Sequence, residues 1–407
     1  MKRSRVVILV TIISIFVAFS TFVVSNYVQI RLDDKILVSA DRYEELQALE
    51  DRFSKVLYLE GYIRDHYYKD IENIPFDDYL LKGVFEAVDD PYSAYMTREE
   101  FDAFKEINSG TYSGIGVTVT EGEDRIVTVV SPIEGTPGEA AGLKPGDRIV
   151  KVDGIDIRGE SLDYAVSLIK GEEGTSVDLT IDRDGSDIFT VTITRAVVVT
   201  KAVNFEVLDH DVGYLRIVTF DDKSFSEFEA AVNQLLEKGV SSLVIDLRNN
   251  PGGSLHEVVE IADLLLGEQI IVYTQDREGH KEVERSDRSR VDLPLVVLTN
   301  RGSASASEIL TAAIQDSNSG IVIGETTFGK GVVQISVPLR DGSAFKLTIS
   351  EYFTPNGVNI HGVGIEPDIG LEDIEAQGYD LEESEDGVLD FAVDYLKTIN
   401  QGAGHDH

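Results

Sequence analysis

The 407-residue chain has no cysteine and no tryptophan, and only two methionines and ten prolines. Without cysteine there is no disulfide framework, no thiol nucleophile and no thiolate-bound metal. This absence does not fix a compartment, because disulfides are optional outside the cytoplasm. Positive charge is also scarce. Against 73 acidic residues stand 36 lysines and arginines, giving a net charge of −37. That balance argues against nucleic-acid backbones as partners and favours solubility. The chain does not lack a core: 42% hydrophobic and 27% charged residues describe a globular protein, and the length suits two or three domains.

Long hydrophobic runs are rare. The one present, Val6–Val24, carries no charge and follows Lys2, Arg3 and Arg5. Its length is close to the bilayer hydrocarbon and predicts a transmembrane anchor within residues 1–28. The leading positive charges then predict a single-pass protein of the cell membrane with its catalytic domains on the extracytoplasmic side. A cleaved signal peptide is the rival, but Val23-Val24-Ser25-Asn26 lacks the small residues of a cleavage site.

The most informative stretch lies late in the chain. Leu295–Leu298 is a short apolar run suited to a buried strand. Gly302 and Ser303-Ala304-Ser305-Ala306-Ser307-Glu308 follow, opening a helix through Ile309, Leu310 and Ile314. A serine at a strand-to-helix turn is sterically open and close to unpaired helix N–H groups, which stabilise developing negative charge. The same letters also fit a capping box, with Ser305 and Glu308 satisfying helix N–H groups. Thr326-Thr327-Phe328-Gly329-Lys330-Gly331 sets a lysine between two glycines, and Gln334, four residues on, shares its face in helix or strand. A lysine becomes a general base only where burial or a nearby cation lowers its pKa.

Together, Asn300–Glu308 and Thr327–Gln334 resemble the carboxy-terminal processing (tail-specific) protease family. The Ser305-to-Lys330 spacing matches that family's nucleophile-to-base spacing. The resemblance implies that Ser305 attacks the peptide carbonyl, Lys330 takes its proton and Gln334 orients the lysine. Arg248-Asn249-Asn250-Pro251-Gly252-Gly253 separates a buried strand from a helix, where a glycine pair lets backbone N–H groups meet a ligand. No Gly-Lys-Ser/Thr ending follows, so a P-loop is excluded. By resemblance, Gly252 or Gly253 gives one oxyanion donor and the Ala306 N–H gives the other.

The rest of the chain divides by periodicity. Residues 29–107 read as helical, with apolar residues at mixed threes and fours. The segment from about Asp41 to Tyr68 fits a homodimer contact or an intramolecular core equally well. Residues 108–195 hold short β-rich runs and frequent glycine, in an order that resembles a PDZ domain of the bacterial protease type. That resemblance implies a site for a chain-terminal carboxylate at Gly114, Ile115 and Gly116. The tail would add as a strand, and Ile115, Val117, Val166 and Ile169 would line an apolar pocket for its last residue. The partners implied are protein or peptide substrates with apolar C-termini. These glycines could equally serve only a turn.

Residues 196–370 alternate strand and helix, an α/β core for which the family implies a crotonase-like (ββα spiral) protease arrangement. The fold class is thus α/β multidomain, with a PDZ domain inserted between the helical N-terminal region and the protease core. Residues 371–407 hold an acidic, solvated segment, a short amphipathic helix at Val388–Ile399 and a disordered tail from Gln401. No metal and no organic cofactor is implied.

The reading is a membrane-anchored serine endopeptidase with a Ser–Lys dyad. Two alternatives stand beside it. One is a Ser–His–Asp hydrolase using His256 with an acid such as Asp246. The other is a non-catalytic, membrane-tethered PDZ module that captures tails, with Ser305 as a helix cap.

Overall fold

A computed structural model describes residues 3–27, 30–32, 35–122, 125–183, 185, 187–381 and 386–403. Contacts divide the chain at residue 81 into two units, Met1–Leu81 and Lys82–His407. The first holds α1 (Arg3–Tyr27), the antiparallel pair β1 (Ile30–Leu32) and β2 (Lys35–Leu37), and α2 (Ala40–His66). α3 (Phe76–Glu86) crosses the boundary. The β1–β2 pair interrupts a stretch whose sequence reads as helical. Ser39 caps α2 by accepting the Arg42 N–H, and α2 buries none of its residues.

The membrane expectation is corrected here. Among the described residues no helix is long and apolar enough to cross a membrane. The single-pass anchor, and the extracytoplasmic placement that depended on it, are therefore set aside.

In the second unit β3 (Ala94–Met96) leads to α4 (Arg98–Ser109). Thr97 and Glu100 form a capping box in both directions, and Gly110, at φ +60°, ends the helix in the left-handed region. The β-rich stretch follows as β4 (Thr111–Gly114), β5 (Val117–Glu121), β6 (Val127–Pro132), α5 (Pro137–Ala140), β7 (Arg148–Val152), β8 (Ile155–Asp156), α6 (Leu162–Ile169), β9 (Ser176–Arg183), β10 (Asp187–Thr194) and β11 (Ala196–Val199). Its sheet runs β10-β9-β7-β6-β5, with β8 on β7. β5 is thus an edge strand. Alternate residues of β9, namely Val177, Leu179 and Ile181, enter a core shared with Ile149, Val152 and Ala165. Between β9 and β10, Gly185 takes φ +70°. The strands at the two ends of this stretch, β4 and β11, pair with each other.

The remaining elements build two sheets. In order they are β12 (Val203–Leu208), β13 (Val212–Ile217), α7 (Ser224–Glu237), β14 (Ser242–Asp246), α8 (Leu255–Leu265), β15 (Ile270–Asp276), β16 (Lys281–Arg285), β17 (Leu295–Thr299), α9 (Ala306–Asp316), β18 (Ile321–Gly324), β19 (Val332–Pro338), β20 (Ala344–Phe353), β21 (Ile369–Gly370), α10 (Leu371–Ala376) and α11 (Gly387–Ala403). The larger sheet is β12-β13-β14-β17-β18-β21. Only its β12–β13 hairpin is antiparallel; every other pairing is parallel.

This sheet explains the unbroken apolar runs. Leu243 and Ile245 face a core with α7, α8 and α9. Val244 and Val296 face the opposite core, with Ile374, Phe391 and Leu396. A strand covered on both faces needs no polar alternation. The segment expected to be acidic and solvated therefore buries Ile374, and α11 runs through Ala403, past the expected start of a disordered tail. The second sheet is β16-β15-β20-β19, with β3 paired to β20. β15 belongs to this sheet, although its sequence reads as a continuation of the first.

Candidate active site

Three neighbouring parallel strands carry the site at their carboxyl ends, where open α/β sheets bind ligands. Asp246 of β14 pairs in register with Leu298 of β17, and Thr299 with Gly324 of β18. The loops leaving these strands bring Gly252-Gly253, Ser305 and Lys330 to one place although the sequence separates them. All four, with Ala306 and Gln334, line one cleft of about 530 Å³. The second sheet closes it with Val332, Val333, Ser336, Lys346 and Tyr352, and α4 adds Phe104, Ile107 and Asn108.

Ser305 sits at φ 55° and ψ −113°, a backbone conformation uncommon for a residue with a side chain. Such strain costs about 1–3 kcal/mol and collects at functional positions. The capping reading is met only in part. The Ser305 N–H donates to Glu308 Oε2 at 2.8 Å, whereas the Glu308 N–H donates to the Ser305 carbonyl. The Ser305 hydroxyl makes no cap bond, so it is free to react.

Glu308 is fully buried and does more than cap. Its carboxylate also accepts from Thr327 Oγ1 (2.6 Å), the Gly329 N–H (2.7 Å) and the Lys330 N–H (2.8 Å). One buried charge, satisfied by four donors, ties the serine turn to the lysine loop. Tyr352 ties them again, its hydroxyl lying 3.1 Å from the Ser305 carbonyl and 2.5 Å from the Lys330 carbonyl. Burial drives the Tyr352 phenol well above its ordinary pKa and keeps it a donor.

The glycine loop is set by Asn250, itself buried, which donates from Nδ2 to the Ile217 carbonyl and accepts the Gly252 N–H at 2.9 Å. The Gly252 N–H is therefore engaged and is not available to a ligand in the cleft. Gly252 is still required: a Cβ there would stand 2.6 Å from the Ala304 carbonyl and 2.9 Å from the Ala306 nitrogen. Behind the loop, Arg248 pairs with Asp246 (2.6 Å) and with Asp386 just before α11 (2.7 Å), and the Tyr214 hydroxyl donates to Asp246.

Lys330 is half-buried. Desolvation, then the charge of Lys346, pulls its pKa below the ordinary lysine value, while Asp90 and Glu308 pull the other way. Its ammonium lies 4.9 Å from the centre of the Tyr92 ring and makes no hydrogen bond to Ser305 among the described residues. Catalytic bonds commonly tighten only in the substrate complex. Gln334, expected beside the lysine, donates instead to the Val332 carbonyl (3.2 Å) and Thr348 Oγ1 (3.4 Å). His256 is 76% exposed, 3.9 Å from Glu260, and does not line the cleft. Asp246, the acid paired with it in the histidine alternative, is taken up by Arg248. Among the described residues, the group close enough to share a cation is Asp276, Glu278 and His280 on the β15–β16 turn, which adds nothing to the cleft.

A second, smaller pocket of about 120 Å³ lies between β5 and α6. It gathers Gly114, Ile115, Gly116, Val117, Val166 and Ile169, together with Tyr112, Val119 and Lys170. The Ile115 carbonyl accepts the Gly138 N–H, and the Gly116 carbonyl accepts the Ile133 N–H and the Thr136 hydroxyl. These bonds hold the loop by its carbonyl oxygens. Tyr112 and Lys170 carry no local motif that marks them for this pocket.

Comparison with known proteins gives the family. Residues 211–371 match peptidase family S41, and residues 128–183 match the PDZ domain. The carboxy-terminal processing protease CtpA of Bacillus subtilis is 37% identical over 325 residues, 79% of this chain and 70% of that protein. The carboxy-terminal-processing protease of Bartonella bacilliformis is 39% identical, across 76% and 74% of the two chains. A solved structure named for an S41 protease of Bacteroides fragilis shares the fold, with a TM-score of 0.54 at 18% identity, covering 84% of this chain and 97% of that one. The chain belongs to peptidase family S41 and is a serine peptidase of the carboxy-terminal processing type with a PDZ domain.

Proposed function

We propose that the peptidase cuts proteins near C-terminal tails held by its PDZ domain, using Ser305 and Lys330 as a dyad. The observation that carries this is a serine hydroxyl left free at a strained turn, in one cleft with a lysine whose pKa is lowered by burial. Neutral Lys330 Nζ takes the Ser305 proton as Oγ attacks the scissile carbonyl. The oxyanion then meets the N–H groups of Gly253 and Ala306, a preorganised pair that lowers the barrier by several kcal/mol. Collapse expels the new amine, which takes its proton from Lys330. Water, deprotonated by the same lysine, attacks the acyl carbon, and collapse frees the acid as Lys330 returns that proton to the departing Ser305 Oγ. Gln334 holds the edge of β19 next to the lysine.

The tail lies along β5, its carboxylate against the Ile115 and Gly116 nitrogens and its apolar last residue among Val117, Val166 and Ile169. Tail binding gates the cleft, and α2, whose Leu46, Leu49, Phe53 and Leu57 are exposed, meets a second copy of the chain. The protease core takes the crotonase-like spiral arrangement within residues 196–370, with the PDZ domain at 108–195.

The test is a peptide library varied at the C-terminus. Tails ending in apolar residues are expected to be cut, and Ser305→Ala and Lys330→Ala each lose at least about a thousandfold in kcat. Substantial turnover by Lys330→Ala sinks the dyad.

A further inference from the structure

The cleft holds a second lysine that the chemistry above does not use. Lys346 lies on β20, opposite Ser336 of β19 and Ala94 of β3. It lines the cleft with Ser305 and Lys330. No carboxylate pairs with it among the described residues; its close partner is the Phe104 ring of α4, at 5.9 Å. An ammonium held in a partly desolvated cleft against an aromatic ring, with no counter-ion of its own, needs a reason to be there.

We propose that Lys346 is a positioning residue for the base, its fixed positive charge keeping Lys330 in the neutral form that accepts the Ser305 proton. The inference rests on the reading of Lys330 as that base. A neighbouring cation is one of the few ways to activate a lysine nucleophile or base at neutral pH, and burial of Lys330 makes the repulsion felt. The groups facing Lys330 make the balance explicit. Asp90, on the loop before β3, and Glu308, at the start of α9, favour its charged form, as does the Tyr92 ring. Asp90 is itself engaged by the Ser93 hydroxyl and the Tyr92 N–H, and Glu308 by its four donors. His361 lies edge-on to Tyr92, 6.2 Å between ring centres, and Asp222 and Tyr352 line the same cleft. Against two carboxylates and a ring, burial and Lys346 are what oppose protonation, and Lys346 also lowers the Lys330 pKa by its charge. Each carboxylate is drawn off by other donors, whereas the Lys346 charge is not.

The experiment compares the full chain with Lys346→Met, which keeps the stem against Phe104, and with Lys346→Arg. kcat/KM is followed across pH on a peptide uncharged around the scissile bond. Removing the cation raises the Lys330 pKa. The acid limb of Lys346→Met is therefore expected to move up by about one pH unit, giving about tenfold lower activity on that limb and recovery at alkaline pH. Lys346→Arg follows the parent. A limb that does not move, or a loss equal at every pH and confined to KM, overturns the proposal. Lys346→Gln and the pH dependence of Ser305 labelling by a fluorophosphonate provide the same reading should the methionine variant fold poorly. Lys330→Ala is run alongside. If it stays active, the base assignment fails. If it is inactive while the Lys346→Met limb is unmoved, only the present proposal fails.

Discussion

The tail pocket and the cleft are built on opposite plans. The pocket between β5 and α6 uses a sheet edge and a turn, and its lining is mostly glycine and aliphatic side chains, with Tyr112 and Lys170 beside them. No buried charge lines it. The cleft uses three loops from adjacent strands, pinned by the buried Glu308 and stressed at Ser305. A pocket made of backbone and aliphatic side chains tolerates change gradually. A cleft locked by one carboxylate and two close glycine contacts should fail abruptly, and the following variants test that contrast.

The largest effect is expected from Gly252→Ala. The new Cβ would press on the Ala304 carbonyl and on Ser305, displacing both the nucleophile and the Ala306 N–H. kcat should fall about a hundred- to a thousandfold, the scale of losing an oxyanion donor, while a fluorescent tail peptide binds as before. Glu308→Gln comes next. Its amide keeps one acceptor oxygen but sets an NH2 against the donors on the other side, either Thr327 and Gly329 or Ser305 and Lys330, and each buried donor left unsatisfied costs about 1–3 kcal/mol. A clear drop in Tm with a large loss in kcat is the expected pair, read by calorimetry and steady-state kinetics. Ile169→Ala is the mildest. Trimming one wall of the pocket should raise KM for apolar tails about tenfold and leave kcat near the parent value at saturating tail. A collapse of kcat in this third variant would erase the contrast.

How much of this the sequence showed depends on how local each signal is. Ser305, Lys330 and the glycine loop stand in short strings with their own spacing, and the structure brings them to one cleft. The buried strand at Leu295–Leu298 was equally open to reading, because it is an unbroken apolar run. Glu308 read only as a cap, since three of its four donors come from a loop about twenty residues on. Tyr92, Phe104 and Lys346 reach the cleft from elements on either side of the PDZ domain, and no spacing rule joins them. Ile270–Thr274 reads as a continuation of the first sheet because β15 is mixed in burial, which a periodic pattern does not distinguish. At the N-terminus, hydropathy alone suggested a span that the described helix does not supply.

The pairing of β4 with β11 has a practical side. The chain leaves for the PDZ domain at Thr111–Gly114 and comes back at Ala196–Val199 as a two-strand ribbon. The module thus hangs from a stalk whose ends are already one hydrogen-bond width apart. A foreign module grafted at those two points would ask the enzyme body to bridge no new gap.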